Sequence, residues 1–313
     1  MSTTTSTMAP PIVKEVSHAP ERLYTVDRAK FAENFNKRPF LLEHSLSNHP
    51  AFTMDRLHSL LERSLPIPNK VYWNAGKKRI DQRWKDRPGR DFSIEEAFRR
   101  IRETDAWIII FGADRDPEIH DLLEQGLAEV QEMTGIPLSR EEKSRQSIIF
   151  ITSPHRITEY HIDKECSLLL QIHGKKTIHV FDQTDREVLT EEELESFWSF
   201  DNNAATYKAH LQNRATSFLL EPGKAVHIPI NAPHWLENGD DISVSINQNF
   251  EYKNDRLANI YRANYYIRKM GMKPLPPGQS RLRDRMKGQG MRLPVALARE
   301  LRELKDKMER RKS

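Results

Sequence analysis

Apolar and polar positions change period several times along this chain, and each change marks an element. Trp107-Ile108-Ile109-Ile110-Phe111 is a continuous apolar run stopped by Gly112, which predicts a buried strand. Asp116 to Thr134 carries Ile119, Leu122, Leu123, Leu127 and Val130 at helical spacing, which predicts a helix with one inward stripe. Upstream signals are shorter. Val26 to about Leu65 alternates strand-like and helix-like stretches, with Thr53 opening a helix. Val71 to Asn74 reads as a strand, and Ser93-Ile94-Glu95-Glu96 has the capping-box spacing of a helix running to about Arg102. Between Leu168 and Phe181, two apolar strands flank Gly174-Lys175, which predicts a hairpin with glycine at the positive-φ position. In Ile242 to Asn247 the apolar residues alternate with Ser243, Ser245 and Asn247. That polar face either meets water or lines a polar interior, and alternation alone does not choose between them.

The two ends have a different character. Residues 1–20 are rich in Ser, Thr and Pro and are predicted to be disordered. Pro274 to Gly278 breaks the chain, and Pro294 then opens a helix to about Met308. Leu297, Leu301, Leu304 and Met308 form a single stripe on it, able to dock on this chain or on a second copy.

Composition removes several classes of function. A single cysteine, Cys166, excludes an internal disulfide and any Cys-rich zinc site, and fits a reducing cytoplasm. With 49 basic and 45 acidic side chains the charge is nearly balanced. The basic clusters Arg281 to Lys287 and Arg310 to Lys312 lack interleaved aromatics, so solvated faces are expected rather than a nucleic-acid surface. No apolar stretch is long enough to span a membrane, and Met1 to Thr7 has no signal-peptide pattern. The helix and strand alternation before residue 144 could fit a nucleotide-binding domain, but no glycine-rich phosphate loop accompanies it.

The chemistry concentrates further on. His161-Ile162-Asp163 places an imidazole and a carboxylate on one side of an extended segment, and His234 in Pro233-His234-Trp235 offers a third ligand. Two histidines and one carboxylate form the facial set associated with non-haem Fe(II), which leaves positions open for other ligands. Among twelve histidines, roughly one His-x-Asp arises by chance, so an isolated pair would more often be a core histidine bonded to its neighbour. His227, in Pro222-Gly223-Lys224-Ala225-Val226-His227, competes with His234 because it matches a cupin metal motif, although the companion motif of two histidines and a glutamate is absent. If one strand ran unbroken from His161, then Ser167, Leu169, Gln171 and His173 would share the metal face. A two-residue loop would then set Lys176 on that face too, where an ammonium suits a metal-bound dicarboxylate.

Thr158-Glu159-Tyr160-His161-Ile162-Asp163, Gln171 to Lys176, Glu221-Pro222-Gly223, Pro233-His234-Trp235 and Ile242 to Asn247, in that order, resemble the JmjC or cupin-like 2-oxoglutarate oxygenases. The likeness is nearest to the protein-hydroxylase branch typified by the asparaginyl hydroxylase of the hypoxia response, and it covers about 145–252. It implies a mainly β fold with helical additions, a double-stranded β-helix or jelly roll. An N-terminal helix-and-strand buttress (21–144) would precede the barrel core (145–252), and a C-terminal helical region (253–313) able to dimerise would follow it. It further implies Fe(II) on His161, Asp163 and His234, with 2-oxoglutarate and O2 as cosubstrates. Lys176 and Thr158 would hold the distal carboxylate, and Asn247 would lie beside the cosubstrate. At the pocket position where that hydroxylase has an asparagine, this chain has the shorter Ser167. The implied reaction is hydroxylation of a protein side chain or a small amino-acid-like molecule. A metal-dependent cupin isomerase or lyase, or a non-catalytic cupin sensor, would share the scaffold without needing the Lys176 anchor.

Overall fold

A computed structural model describes residues 21–83, 92–138, 142–252, 255–292 and 294. The predicted tail 1–20 and the Leu297, Leu301, Leu304 and Met308 stripe lie outside the described residues. The strands are β1 (Tyr24–Thr25), β2 (Phe40–His44), β3 (Val71–Asn74), β4 (Trp107–Phe111), β5 (Glu142–Thr152) and β6 (Ile157–His161). They continue as β7 (Cys166–His173), β8 (Lys176–Val180), β9 (Thr216–Leu220), β10 (Lys224–Ile228), β11 (His234–Asn238) and β12 (Ser243–Tyr252). They assemble into a large sheet, β1-β2-β10-β7-β12-β5-β4-β3, and a small one, β6-β11-β8-β9. From β5 onward the chain passes back and forth between the sheets, which is the winding of a double-stranded β-helix with helical additions.

That winding overturns the predicted hairpin. β7 lies between β10 and β12, whereas β8 lies between β11 and β9, so the two strands flanking Gly174 are never partners. Gly174 does adopt a positive φ of 65°, and a side chain there would collide with the Ile242 carbonyl. The turn signal is therefore real, but it carries the chain from one sheet to the other. The unbroken strand from His161 also fails, because β6 ends there and 162–165 cross to the large sheet.

Helices fill the outer side. Pro117–Thr134 is capped by Asp116 and closed by Gly135 at φ 70°. Its Leu122, Leu127 and Val130 join one large cluster with Ile108, Ile149, Leu170 and Ile246 from the outer face of the large sheet. Each such buried side chain stabilises the fold by roughly 1.5–3 kcal/mol. With the outer face sealed, Ser245 and Asn247 of β12 turn inward, which settles the ambiguity left by alternation. Met54–Ser64 opens at Thr53 as expected, and Ile94–Arg99 opens at Ser93, whose side chain accepts from Glu96 N; the reciprocal bond of the expected capping box is not among the described contacts, and the helix stops at Arg99, short of Arg102.

The C-terminal helix Asp255–Lys269 packs on Glu191–Trp198, where a proper capping box at Thr190 and Glu193 starts the helix. Arg268 Nε donates to the buried Glu195 at 2.7 Å. Tyr261, Leu194, Leu189 and Phe197 enclose Ile162, so the crossing between His161 and Asp163 is clamped from outside.

Candidate metal centre

His161 ends β6, His234 begins β11, and the two are cross-strand partners in the small sheet. Asp163 follows in the crossing, with its carbonyl accepting from Asn231 N at 3.0 Å. One ligand atom from each of the three lies within 4.8 Å of the others. The Nε2 atoms of His161 and His234 are each 3.7 Å from Asp163 Oδ2. Their Nδ1 atoms sit 2.7 Å from Glu159 O and 2.9 Å from Ala232 O. A backbone carbonyl can only accept, so each Nδ1 carries the proton and each Nε2 lone pair turns toward the carboxylate. Burial, reinforced by His161, pushes His234 down to about 4. Two imidazole Nε2 atoms and a carboxylate therefore converge, an arrangement that suits a divalent cation.

His227 is excluded by the same reasoning. Its side chain leaves the opposite face of β10, stacks on Phe35 with centroids 4.9 Å apart, and is fully buried. Asn36 N donates to Nε2 at 2.7 Å, so Nδ1 bears the proton toward Ser167 O at 3.1 Å. Burial pushes it down to about 3, leaving a neutral core imidazole.

The triad opens into a cavity of about 610 Å³ between the sheets. Lys176 reaches it from β8 and Thr158 from β6, with Ser245 and Asn247 entering from β12. Lys176 is 5% exposed, donates to Ser245 Oγ at 3.0 Å, and is pushed down to about 7 by burial. Its location agrees with the parity count, but for another reason: it arrives on the facing sheet and not along a strand continuous with His161. Among the described residues, the buried Oδ1 of Asn247 has no hydrogen-bond partner. Ser167 is buried behind the lining, opposite Asn249 of β12. Gln171 turns its amide to Ser243 and the Gly174 turn, and His173 bonds Phe52 O outside the barrel, so neither belongs to the metal face.

Several lining residues had no assigned role in the sequence. Trp107, Ile109 and Phe111 form an apolar side wall, with Trp107 stacked on Phe150 at 6.2 Å and Tyr72 edge-on to Trp107. Trp73, Tyr160 and Trp235 pack elsewhere. Glu165 and Asn249 line the cavity with Asp163, and among the described residues Asn249 Oδ1 has no partner. Burial beside Asp163 and Glu251 pushes Glu165 up to about 7. Only the Ser245-Asn247-Asn249 alternation could have drawn attention to Asn249.

No family model matches the chain. Part of it is similar to HSPB1-associated protein 1 of Homo sapiens, 29% identical over 128 residues, and to the Danio rerio homolog, 28% identical over 128 residues. The match covers 38% of this chain and 26% and 28% of those proteins, so the chain spans about a quarter of their length. Among solved structures, E. coli ycfD superposes with a TM-score of 0.53 at 15% identity, covering 88% of this chain and 69% of that one. YcfD, described as a ribosomal oxygenase from Escherichia coli in complex with cobalt and 2-oxoglutarate, gives 0.51 at 16%, covering 88% and 68%. The strand order, the two-sheet winding and these superpositions agree: the chain has a double-stranded β-helix fold like that of ycfD.

Proposed function

We propose that this protein is an Fe(II)- and 2-oxoglutarate-dependent oxygenase that hydroxylates a protein side chain or a small amino-acid-like molecule. The observation that carries this reading is the convergence of His161, Asp163 and His234 in a cavity that also buries the Lys176 ammonium. The two imidazoles and the carboxylate would hold the metal. Lys176 and Thr158 would hold the distal carboxylate of 2-oxoglutarate, with Asn247 beside it and Ser167 supporting the wall. A dianionic ligand gives the buried ammonium a counter-charge that no ion pair among the described residues supplies, at a hydrogen-bond strength of about 1.5–3 kcal/mol. When bound, Fe(II) with 2-oxoglutarate and O2 supplies the oxidising power for hydroxylation, with succinate and CO2 as by-products. Leu169, Ile228 and Leu236 exclude water from that end.

The reading extends to the whole chain. We divide it into buttress, barrel core and C-terminal helices, with β1 and β2 of the buttress extending one edge of the barrel's large sheet and β3 and β4 the other. Exposed Met270, Leu282 and Met286 make the C-terminal helices a seat for a second copy of this chain. Its single buried thiol suits a cytoplasmic setting, and no helix among the described residues is long and apolar enough to cross a membrane. The test is succinate formation from 2-oxoglutarate with added Fe(II), with and without His161→Ala or Asp163→Ala. Turnover that disappears in both folded variants supports the reading, and wild-type succinate production in both refutes it.

A further inference from the structure

Thr158 and His161 both line the cavity, although residues three apart on a regular strand point to opposite faces. The register of β6 explains how. His234 pairs with His161 but Leu236 pairs with Thr158, so Glu159 and Tyr160 together stand opposite Trp235. On its other side β11 keeps an even register with β8, so the extra residue belongs to β6. It is a β-bulge, and it brings Thr158 round to the face that His161 occupies.

The groups that the bulge takes out of the ladder have partners. Tyr160 N donates to Ile80 O at 3.0 Å. Glu159 O faces His161 Nδ1 at 2.7 Å, so the bulge carbonyl orients the imidazole of a candidate metal ligand. Lys78 Nζ donates to the Glu159 carboxylate at 2.9 Å, with the two side chains 1% and 2% exposed. Arg156 acts on Glu159 as well, but its Nη1 and Nη2 donate to Gly76 O, Asp105 O and Asn74 Oδ1. Without the bulge, regular pairing continued from His161 would set Glu159 opposite Leu236, and cross-strand partners share a face. Leu236 lines the cavity, so the carboxylate would enter it and Thr158 would turn out. Leu236 also pairs with Ile178, two residues from Lys176, so the carboxylate would arrive beside a second ammonium.

We propose that Lys78 is a positioning residue: its ion pair with Glu159 holds the bulge in β6, so that Thr158 and His161 face the cavity together. The inference rests on the oxygenase reading for what those two side chains bind.

The test is a double-mutant cycle on the full-length protein, loaded with Co(II) and titrated with 2-oxoglutarate by calorimetry. Wild-type protein that takes up neither Co(II) nor 2-oxoglutarate would overturn the oxygenase reading. Thr158→Val should weaken 2-oxoglutarate binding roughly tenfold, and Lys78→Met should weaken it at least as much. Thr158→Val added to Lys78→Met should cost nothing further, because Thr158 has already left the cavity. The same cycle in Lys78→Met with Glu159→Leu, which removes the unpaired carboxylate, guards against a single variant that fails to fold. Leu127→Ala, a cavity variant in the outer core, should lose stability and keep wild-type affinity. Hydrogen exchange over 157–161, read by mass spectrometry without metal or cosubstrate, reports the bulge independently of the oxygenase reading. Protection there should fall in Lys78→Met and persist in Leu127→Ala. Additive losses in either cycle, or unchanged protection in Lys78→Met, would overturn the positioning role.

Discussion

His227 and His234 lie close in sequence and both are buried, yet their surroundings give them opposite chemistry. His227 accepts from Asn36 N through Nε2 and so has no lone pair left for a metal, whereas Nε2 of His234 faces Asp163. His234→Ala is expected to lose iron binding with the fold retained. His227→Ala should keep iron binding but lose about 2–4 kcal/mol of stability, because a stacked ring and two hydrogen bonds disappear. Iron titration alongside thermal denaturation separates the two; iron loss in His227→Ala alone would move the metal site. Lys176 makes a second prediction at this scale. Its ammonium titrates near 7 because burial disfavours the charge. A carboxylate bound against it favours the charge, so above pH 7 cosubstrate binding takes up a proton. Affinity for 2-oxoglutarate should then fall by up to about tenfold per pH unit as pH rises above 7. Lys176→Met should bind more weakly and without that slope, which calorimetry at several pH values would read.

Strand β6 carries a metal ligand at its end and lies at the edge of the small sheet, so something must hold it. The segment 75–83 does so. Ile80 O accepts from Tyr160 N at 3.0 Å, and Lys78 pairs with Glu159 at 2.9 Å with both side chains almost wholly buried. Arg156, just before β6, donates to Asn74 Oδ1, Asp105 O and Gly76 O. Lys78→Ala removes the ammonium bonded to the buried Glu159 carboxylate and leaves it only the more distant charge of Arg156, at an expected cost of up to about 3–5 kcal/mol by thermal or urea denaturation. Replacing the pair with Lys78→Met and Glu159→Leu should recover most of that loss, and a single variant of unchanged stability would show the clasp to be dispensable. The Gly174 turn is a second point of strain. Gly174→Ala is expected to cost about 1–3 kcal/mol, since φ 65° and the Ile242 carbonyl both oppose a side chain.

At the scale of the whole molecule, two cores do different work. The large cluster between the helices and the outer face of the big sheet holds the fold, while the small inner cluster of Leu169, Ile178, Val226 and Leu236 leaves room for the cavity. Tyr261 of Asp255–Lys269, together with Leu194 and Phe197 of Glu191–Trp198, packs on Ile162 in the ligand-bearing crossing. If a second copy of this chain docks through the stripe Leu297, Leu301, Leu304 and Met308 read from the sequence, Leu301→Arg with Leu304→Arg should give a folded monomer by light scattering, since paired charges cannot be buried against their own copies. A dimer untouched by both substitutions would place the interface elsewhere.

Much of this was legible in the chain alone. The Pro117–Thr134 helix, the caps at Thr53 and Ser93, and the β4 run are local, because periodicity and capping depend on residues a few positions apart. The ordered motifs likewise pointed to His161, Asp163 and His234, which meet within 4.8 Å. Tertiary structure alone decided which strands pair. The same Gly174-Lys175 turn could close a hairpin or cross between sheets, and only Ile242 packed against it and the β12 partner of β7 select the crossing. It also decided that Lys176 enters from the facing sheet, that His227 is locked by Asn36, and that Glu165 and Asn249 share one end of a cavity with the walls of β4. A sequence records the periodic surroundings of each residue, but the neighbours that set charge, burial and chemistry are brought together only when distant strands pair.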